Sequence, residues 1–231
     1  MHDMSPMLGR RSLLWLGLAG IAGIGLAGCH PPSPPTDPQS SPMPNASNPA
    51  SSSVPTQQRV LLAYFSRAGE NYYNGGRRTL SVGNTTVVAE MIRAAIGCDV
   101  YRINAADPYP DSYDATVARN VREQDANARP EIADPLPSLA GYDTVLLGSP
   151  IWNVRAPMIM STFTEALDFT GRTVFPFTTY AMGGLGRTVE DYTVSCRGAK
   201  FGEGLAVRGE EAADSDPAVR SWLQRIGLLA R

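Results

Sequence analysis

Histidine is missing from the whole chain beyond residue 30, because the two present are His2 and His30. A folded region without imidazole cannot host a Ser/His/Asp or Cys/His nucleophile pair, and it lacks the usual nitrogen ligand of zinc. Lysine is almost absent too. Lys200 is the one in the chain, and no G-x-x-x-x-G-K-[ST] run occurs, so the residue that grips the β and γ phosphates in a P-loop is not available. Of the three cysteines, Cys98 and Cys196 fall in the folded part without C-x-x-C spacing and read as reduced, buried fillers. The formal net charge of −2 offers no basic surface for nucleic acid. No metal site is expected, and any chemistry in the domain has to be carried by a cofactor.

The N-terminus reads as a signal peptide over residues 1–28. It carries Arg10-Arg11, an uncharged apolar stretch from Leu13 to Ala27, and then Leu26-Ala27-Gly28-Cys29. The paired arginines are similar to a twin-arginine export signal. Leu-Ala-Gly-Cys resembles a bacterial lipobox, which implies lipidation at Cys29. Residues 29–57, rich in Pro and Ser, cannot bury enough apolar surface to offset their ordering entropy and read as a disordered tether. The expectation is an extracytoplasmic, membrane-anchored lipoprotein whose folded domain spans residues 58–231.

From Arg59 onward apolar strand patterns at 60–65, 99–103, 144–148, 173–178 and 201–207 alternate with helical patterns at about 85–96, 112–127, 157–167, 188–196 and 217–226. This alternation predicts one α/β domain, a doubly wound five-stranded parallel sheet in the order 2-1-3-4-5 with helices on both faces. Cys98 and Cys196 then precede strands on opposite edges, too far apart for a disulfide.

In such a sheet the ligand sits beyond the carboxyl ends of the strands, beside the first and third. After the first strand come Ser66-Arg67-Ala68-Gly69 and, following a detour, Gly83-Asn84-Thr85-Thr86 at the start of a helix. Hydroxyls, an amide and free backbone N–H groups at a positive helix end suit a phosphate. The third strand feeds Gly148-Ser149-Pro150-Ile151-Trp152-Asn153-Val154. The fourth feeds Thr178-Thr179-Tyr180-Ala181-Met182-Gly183-Gly184-Leu185-Gly186, so each loop presents an aromatic that can hold a flat heteroaromatic ring.

These motifs, with Tyr64-Phe65-Ser66-Arg67, Asp107-Pro108-Tyr109-Pro110, Ala156-Pro157 and Gly204-Leu205-Ala206-Val207-Arg208-Gly209, resemble the flavodoxin family, in its bacterial flavodoxin-like branch, over essentially all of residues 59–228. The resemblance implies FMN bound non-covalently. It places the phosphate on Ser66, Asn84, Thr85 and Thr86 and the ring on Pro150, Ile151, Trp152 and Asn153, with Tyr180, Gly183, Gly184 and Gly186 along the other edge. Arg67 and Thr179, in the same loops, are expected to contact the cofactor as well. The implied activity is electron transfer with a redox partner protein or the membrane quinone pool. An FMN-dependent reductase of quinones or other small molecules, and a binding module that has lost FMN, remain open as alternatives.

Two departures from the family pattern stand out. Glu70 to Val82, with Tyr72, Tyr73, Arg77 and Arg78, intervene inside the first loop and read as a lid, a docking surface or a tolerated surface loop. Val154 stands where a glycine peptide flips toward the reduced ring in relatives. A β-branched residue resists the positive φ that such a flip needs, which predicts two-electron behaviour.

Overall fold

The computed structural model describes residues 59–230; the expected signal peptide, lipobox at Cys29 and tether lie outside the described residues. Central strand β1 (Val60–Phe65) is buried along its whole length, as a parallel strand covered on both faces must be. It pairs in parallel with β4 (Asp99–Ile103) on one side and β5 (Thr144–Pro150) on the other. Beyond β5 lies β6 (Thr173–Tyr180), whose outer edge carries β7 (Lys200–Phe201) and β8 (Leu205–Arg208). The order β4-β1-β5-β6-β7, with β8 also on β6, is the doubly wound order expected from the sequence.

The expected fifth strand, 201–207, is broken into β7 and β8. Glycine explains the break: a Cβ on Gly202 would lie 2.1 Å from the Phe175 ring, and one on Gly204 would lie 2.8 Å from Leu185. The backbone between the two pieces arches over those side chains, which only glycine permits.

Successive residues of a strand point to opposite faces, and β1 divides its side chains between two cores accordingly. Leu61, Ala63 and Phe65 join Val145, Leu147, Ile159, Met160, Phe163 and Tyr192, under α3 (Met158–Glu165) and α4 (Thr188–Ser195). Val60, Leu62 and Tyr64 join Val88, Ile92, Val219, Trp222 and Leu223, under α1 (Asn84–Ile96) and α5 (Asp216–Arg225). The helix α2 (Tyr113–Asp125) buries Thr116, Asn120 and Glu123 instead of an apolar stripe. Helix α1 stops where Gly97 turns left-handed at φ 64° and its N–H bonds to the Arg93 carbonyl at 2.8 Å. No helix among the described residues is long and apolar enough to cross a membrane.

The insert at 70–82 is ordered structure, not an open loop. It forms an antiparallel hairpin of β2 (Gly69–Tyr73) and β3 (Gly76–Leu80), joined by Asn74 at φ 46° and Gly75 at φ 82°. Positive φ at both central residues makes a type I′ turn, for which Asn-Gly is the strongest short-range sequence signal. Cys98 and Cys196 are both free thiols, and burial pushes them up to about 11 and about 12.

The sheet core is closely fitted at Gly148, where a Cβ would come within 2.0 Å of the buried Phe177 ring. Gly148→Ala is expected to destabilise the domain by about 1–3 kcal/mol through overpacking. The measurement is urea unfolding, with a lower midpoint at unchanged slope.

Candidate functional site

The carboxyl ends of β1, β5 and β6 meet beside the point where the chain leaves β1 for β4 on one side and β5 on the other. At this edge a cleft of about 380 Å³ opens. A crevice there is the general ligand position of open α/β sheets.

One wall is the first loop. A Cβ on Gly83 would lie 2.4 Å from both the Arg67 carbonyl oxygen and the Ser66 Oγ, so the two halves of the loop touch below the hairpin. Ser66 Oγ accepts from the Thr86 N–H at 3.1 Å and caps α1 from twenty residues away. Thr85 and Thr179 are buried and share one hydrogen bond of 2.7 Å between their hydroxyls. One proton of that pair therefore stays available to a ligand. Burial lowers the Arg67 guanidinium below its ordinary value, and it donates to the carbonyls of Pro110 (2.9 Å), Asp111 (3.1 Å) and Glu70.

The second wall is the loop after β5. Ser149 and Pro150 belong to the strand, paired with Thr178 and Thr179, and the Ile151 N–H bonds to the Thr179 carbonyl at 2.9 Å. These residues thus sit on a sheet, not on a free loop. Trp152 lines the cleft while its ring packs edge-on against Tyr109 (5.0 Å) and Phe65 (5.6 Å). Gln124 donates to the Trp152 carbonyl at 3.1 Å and accepts from the Asn153 side-chain amide at 3.1 Å, tying the loop to α2. Beneath it, Tyr109 donates to Glu123 at 2.8 Å, and Arg119 donates to the same carboxylate at 2.7 Å. Burial and that carboxylate raise the Tyr109 phenol above its ordinary value.

The turn in this wall removes the premise on which two-electron behaviour was expected, that Val154 resists positive φ. Asn153 has φ 48° and Val154 has φ 67°, and Trp152 pairs with Arg155 across them, so the loop is a second type I′ turn with valine in its glycine position. Val154 does not avoid positive φ; it already holds it. The Val154 carbonyl accepts from the Arg187 N–H at 2.8 Å, and the nearby Gly186 would place a Cβ 2.3 Å from that same oxygen.

Ten of the fourteen residues expected from the sequence line the cleft: Ser66, Arg67, Asn84, Thr85, Pro150, Ile151, Trp152, Asn153, Thr179 and Tyr180. Thr86 is buried behind the first wall, and Gly183, Gly184 and Gly186 shape the fourth loop without lining the cleft. The structure adds three groups that the sequence reading missed. Tyr113, Thr116, Val117, Asn120 and Val121 form one face of α2; Asn71 and Tyr72 come from the hairpin; Gly209 and Glu210 follow β8. The α2 face has helical spacing, and a face burying Thr and Asn could have been read as a wall of a polar site.

The hairpin bridges the cleft. At its base the Glu70 N–H bonds to the Asp111 carbonyl at 2.8 Å and the Glu70 carboxylate accepts from the Tyr113 N–H at 3.0 Å. Arg77 pairs with both oxygens of Asp114 at 2.8 and 2.6 Å. At its tip the Asn74 N–H bonds to Glu210 at 3.0 Å.

The chain matches the family described as Flavodoxin over residues 78–226. None of the curated proteins compared matches it. Two solved structures described as candidate flavoproteins are similar. The one from Bacteroides uniformis is 29% identical with a TM-score of 0.59, covering 72% of this chain and 98% of its own. The one from Bacteroides eggerthii is 29% identical with a TM-score of 0.58, covering 73% and 97%. A flavoprotein from Lactobacillus acidophilus in complex with FMN is 17% identical with a TM-score of 0.49, over 69% of this chain and 99% of that one.

A valine in left-handed conformation costs about 1–2 kcal/mol, and Val154 is 60% exposed, so its side chain returns little by burial. Val154→Gly is expected to stabilise the domain by about 1 kcal/mol, less the added freedom of glycine in the unfolded chain. A raised urea midpoint is the readout.

Proposed function

The chain belongs to the flavodoxin family, and on that premise we propose that its domain binds FMN and passes electrons, held outside the cytoplasm by lipid on Cys29. One observation carries the reading of the domain. Three segments far apart in sequence, 66–67 with 84–85, 150–153, and 179–181, line one cleft at the carboxyl edge of the sheet.

The residues present suit the cofactor. Asn84 and Thr85 open α1, where backbone N–H groups have no intrahelical partner and the helix dipole favours an anion. Ser66, whose oxygen already caps α1, retains its hydroxyl proton for a phosphate oxygen. Among the described residues Arg67 is the only cationic side chain lining the cleft, and its guanidinium already serves three carbonyls. Dipole, amides and hydroxyls would therefore hold a single phosphate. Ile151, Trp152 and Tyr180 would flank the ring, their positions set by the β5 and β6 ladder and by Gln124. When bound, FMN supplies the electron chemistry; the protein orients it and sets its surroundings. The proposed electron partner is another redox protein or the membrane quinone pool.

The binding test uses two ligands. Ser66→Ala combined with Thr85→Ala is expected to weaken FMN by about 10- to 100-fold, as loss of hydrogen bonds to a charged group implies. Riboflavin, without the phosphate, should hardly change. Equal losses for both ligands would sink the phosphate assignment, and a purified wild-type protein that takes up no flavin would sink the function.

Export and anchoring rest on Arg10-Arg11 and on Leu26 to Cys29. Arg10→Lys with Arg11→Lys is expected to leave folded precursor inside the cell, and Cys29→Ser to release exported, unlipidated protein from the membrane. Cell fractionation reads both. Unchanged export by the double variant would assign another route.

A further inference from the structure

Glu210 stands out among the charged side chains of the cleft. Its side chain is 6% exposed, and it follows β8 in a 3-10 turn over residues 209–214. One carboxylate oxygen, Oε1, accepts from the Asn74 N–H at the hairpin tip at 3.0 Å. The other, Oε2, is buried without a hydrogen-bond partner, its nearest cation being Arg208 Nε at 3.9 Å. That distance is too long for a hydrogen bond. A buried carboxylate oxygen left without a donor is costly unless a ligand supplies one.

The surroundings say which part of a ligand that is. Glu210 lines the cleft together with Asn84 and Thr85 at the start of α1 and Tyr180 at the end of β6. Its neighbour Gly209 would place a Cβ 2.5 Å from the Asn84 amide and 3.8 Å from the Tyr180 carbonyl. This spot lies between the segment assigned to the phosphate and a segment assigned to the ring. A second anion is disfavoured beside a carboxylate, whereas a neutral hydroxyl is a matching donor.

We propose that Glu210 Oε2 accepts a hydrogen bond from a hydroxyl of the polyol chain linking the phosphate to the flavin ring, while Oε1 latches the β2–β3 hairpin across the cleft. The same carboxylate then holds ligand and strap together. The hairpin, fixed at its base by Glu70 and Arg67 and held to α2 through Arg77 nearer its tip, is closed at the tip by a group that the ligand itself completes. The inference rests on the FMN reading for the identity of the ligand, and on the structure alone for the latch.

Three flavins and one exchange measurement test it. Glu210→Ala is expected to weaken FMN and riboflavin by a similar factor, about 10- to 100-fold for a charge-assisted bond, and to leave lumiflavin, which has no polyol chain, within about twofold. Glu210→Gln keeps shape and a single acceptor oxygen, but loses the charge. With that oxygen on the Asn74 N–H, its NH2 can meet the hydroxyl only as a neutral donor, so Glu210→Gln should weaken FMN and riboflavin less than Glu210→Ala does and leave the Asn74 amide protected. In the ligand-free protein, Glu210→Ala should speed hydrogen exchange at the Asn74 amide. Equal loss of lumiflavin, or unchanged FMN and riboflavin affinity in the alanine variant, would overturn the hydroxyl contact; unchanged Asn74 exchange in that variant would overturn the latch. A wild-type protein that binds none of the three flavins but shows faster Asn74 exchange in Glu210→Ala would instead remove the FMN reading and leave the latch standing.

Discussion

The site depends on the contact between Gly83 and Ser66. At that contact the strand-to-helix loop is closed so tightly that no side chain larger than hydrogen fits at position 83. The closure puts Ser66 Oγ over the Thr86 N–H, which caps α1 and leaves the amides of Asn84 and Thr85 at the cleft. It also explains how thirteen residues can intervene between the halves of one loop without displacing the helix. An insertion whose ends meet adds little to loop-closure entropy and imposes no strain on its host. The hairpin is a self-contained unit raised on that pinch.

The second wall is held in a different way. Its residues gain position from the sheet, because Ser149 and Pro150 extend the β5 ladder and the Ile151 N–H continues it. Where the ladder ends, the chain reverses through Asn153 and Val154 with both φ positive. Asparagine tolerates this conformation; valine does not. The turn persists because its surroundings over-determine it: Gln124 grips the Trp152 carbonyl and the Asn153 amide, and the Arg187 N–H grips the Val154 carbonyl. Strain confined to one exposed residue beside a ligand cleft is the usual place for it.

Much of this was legible beforehand, and the exceptions share a cause. The alternation of apolar strands and helices fixes element order and topology because burial periodicity is a local property of the sequence. Ten cleft residues followed, since a doubly wound sheet brings its carboxyl-end loops together whatever else varies. What could not be read were contacts made by elements that do not bury apolar surface there. The α2 face presents Thr116, Asn120 and two valines to the cleft, which looks like an ordinary amphipathic face until the cleft exists. Glu210 lies in a 3-10 turn with no periodic signal at all. The hairpin was a different kind of miss: Asn74-Gly75 between Tyr72-Tyr73 and Arg77-Arg78 is a sufficient turn signal, hidden by treating the segment as an interruption. Val154 failed for another reason, because steric preference states what a turn costs and not whether neighbouring hydrogen bonds offset that cost.

The two ends of the cleft consequently differ in character. At the α1 end the hairpin passes from the α2 side to Glu210, and the hydroxyls of Ser66, Thr85 and Thr179 lie buried beneath it. At the other end the tips of the two ring-side loops stay open, with Val154 60% and Met182 76% exposed. On the proposed reading a phosphate at the first end would be screened from water, where dipolar and hydroxyl contacts gain strength because the dielectric is low. On the same reading a ring at the second end would lie beside loops whose tips, Val154 and Met182, stay exposed. On the proposed reading the insert would bear on retention of the cofactor, while of the two type I′ turns the one at the hairpin tip marks where the cleft is bridged and the one at Val154 marks an exposed part of its rim.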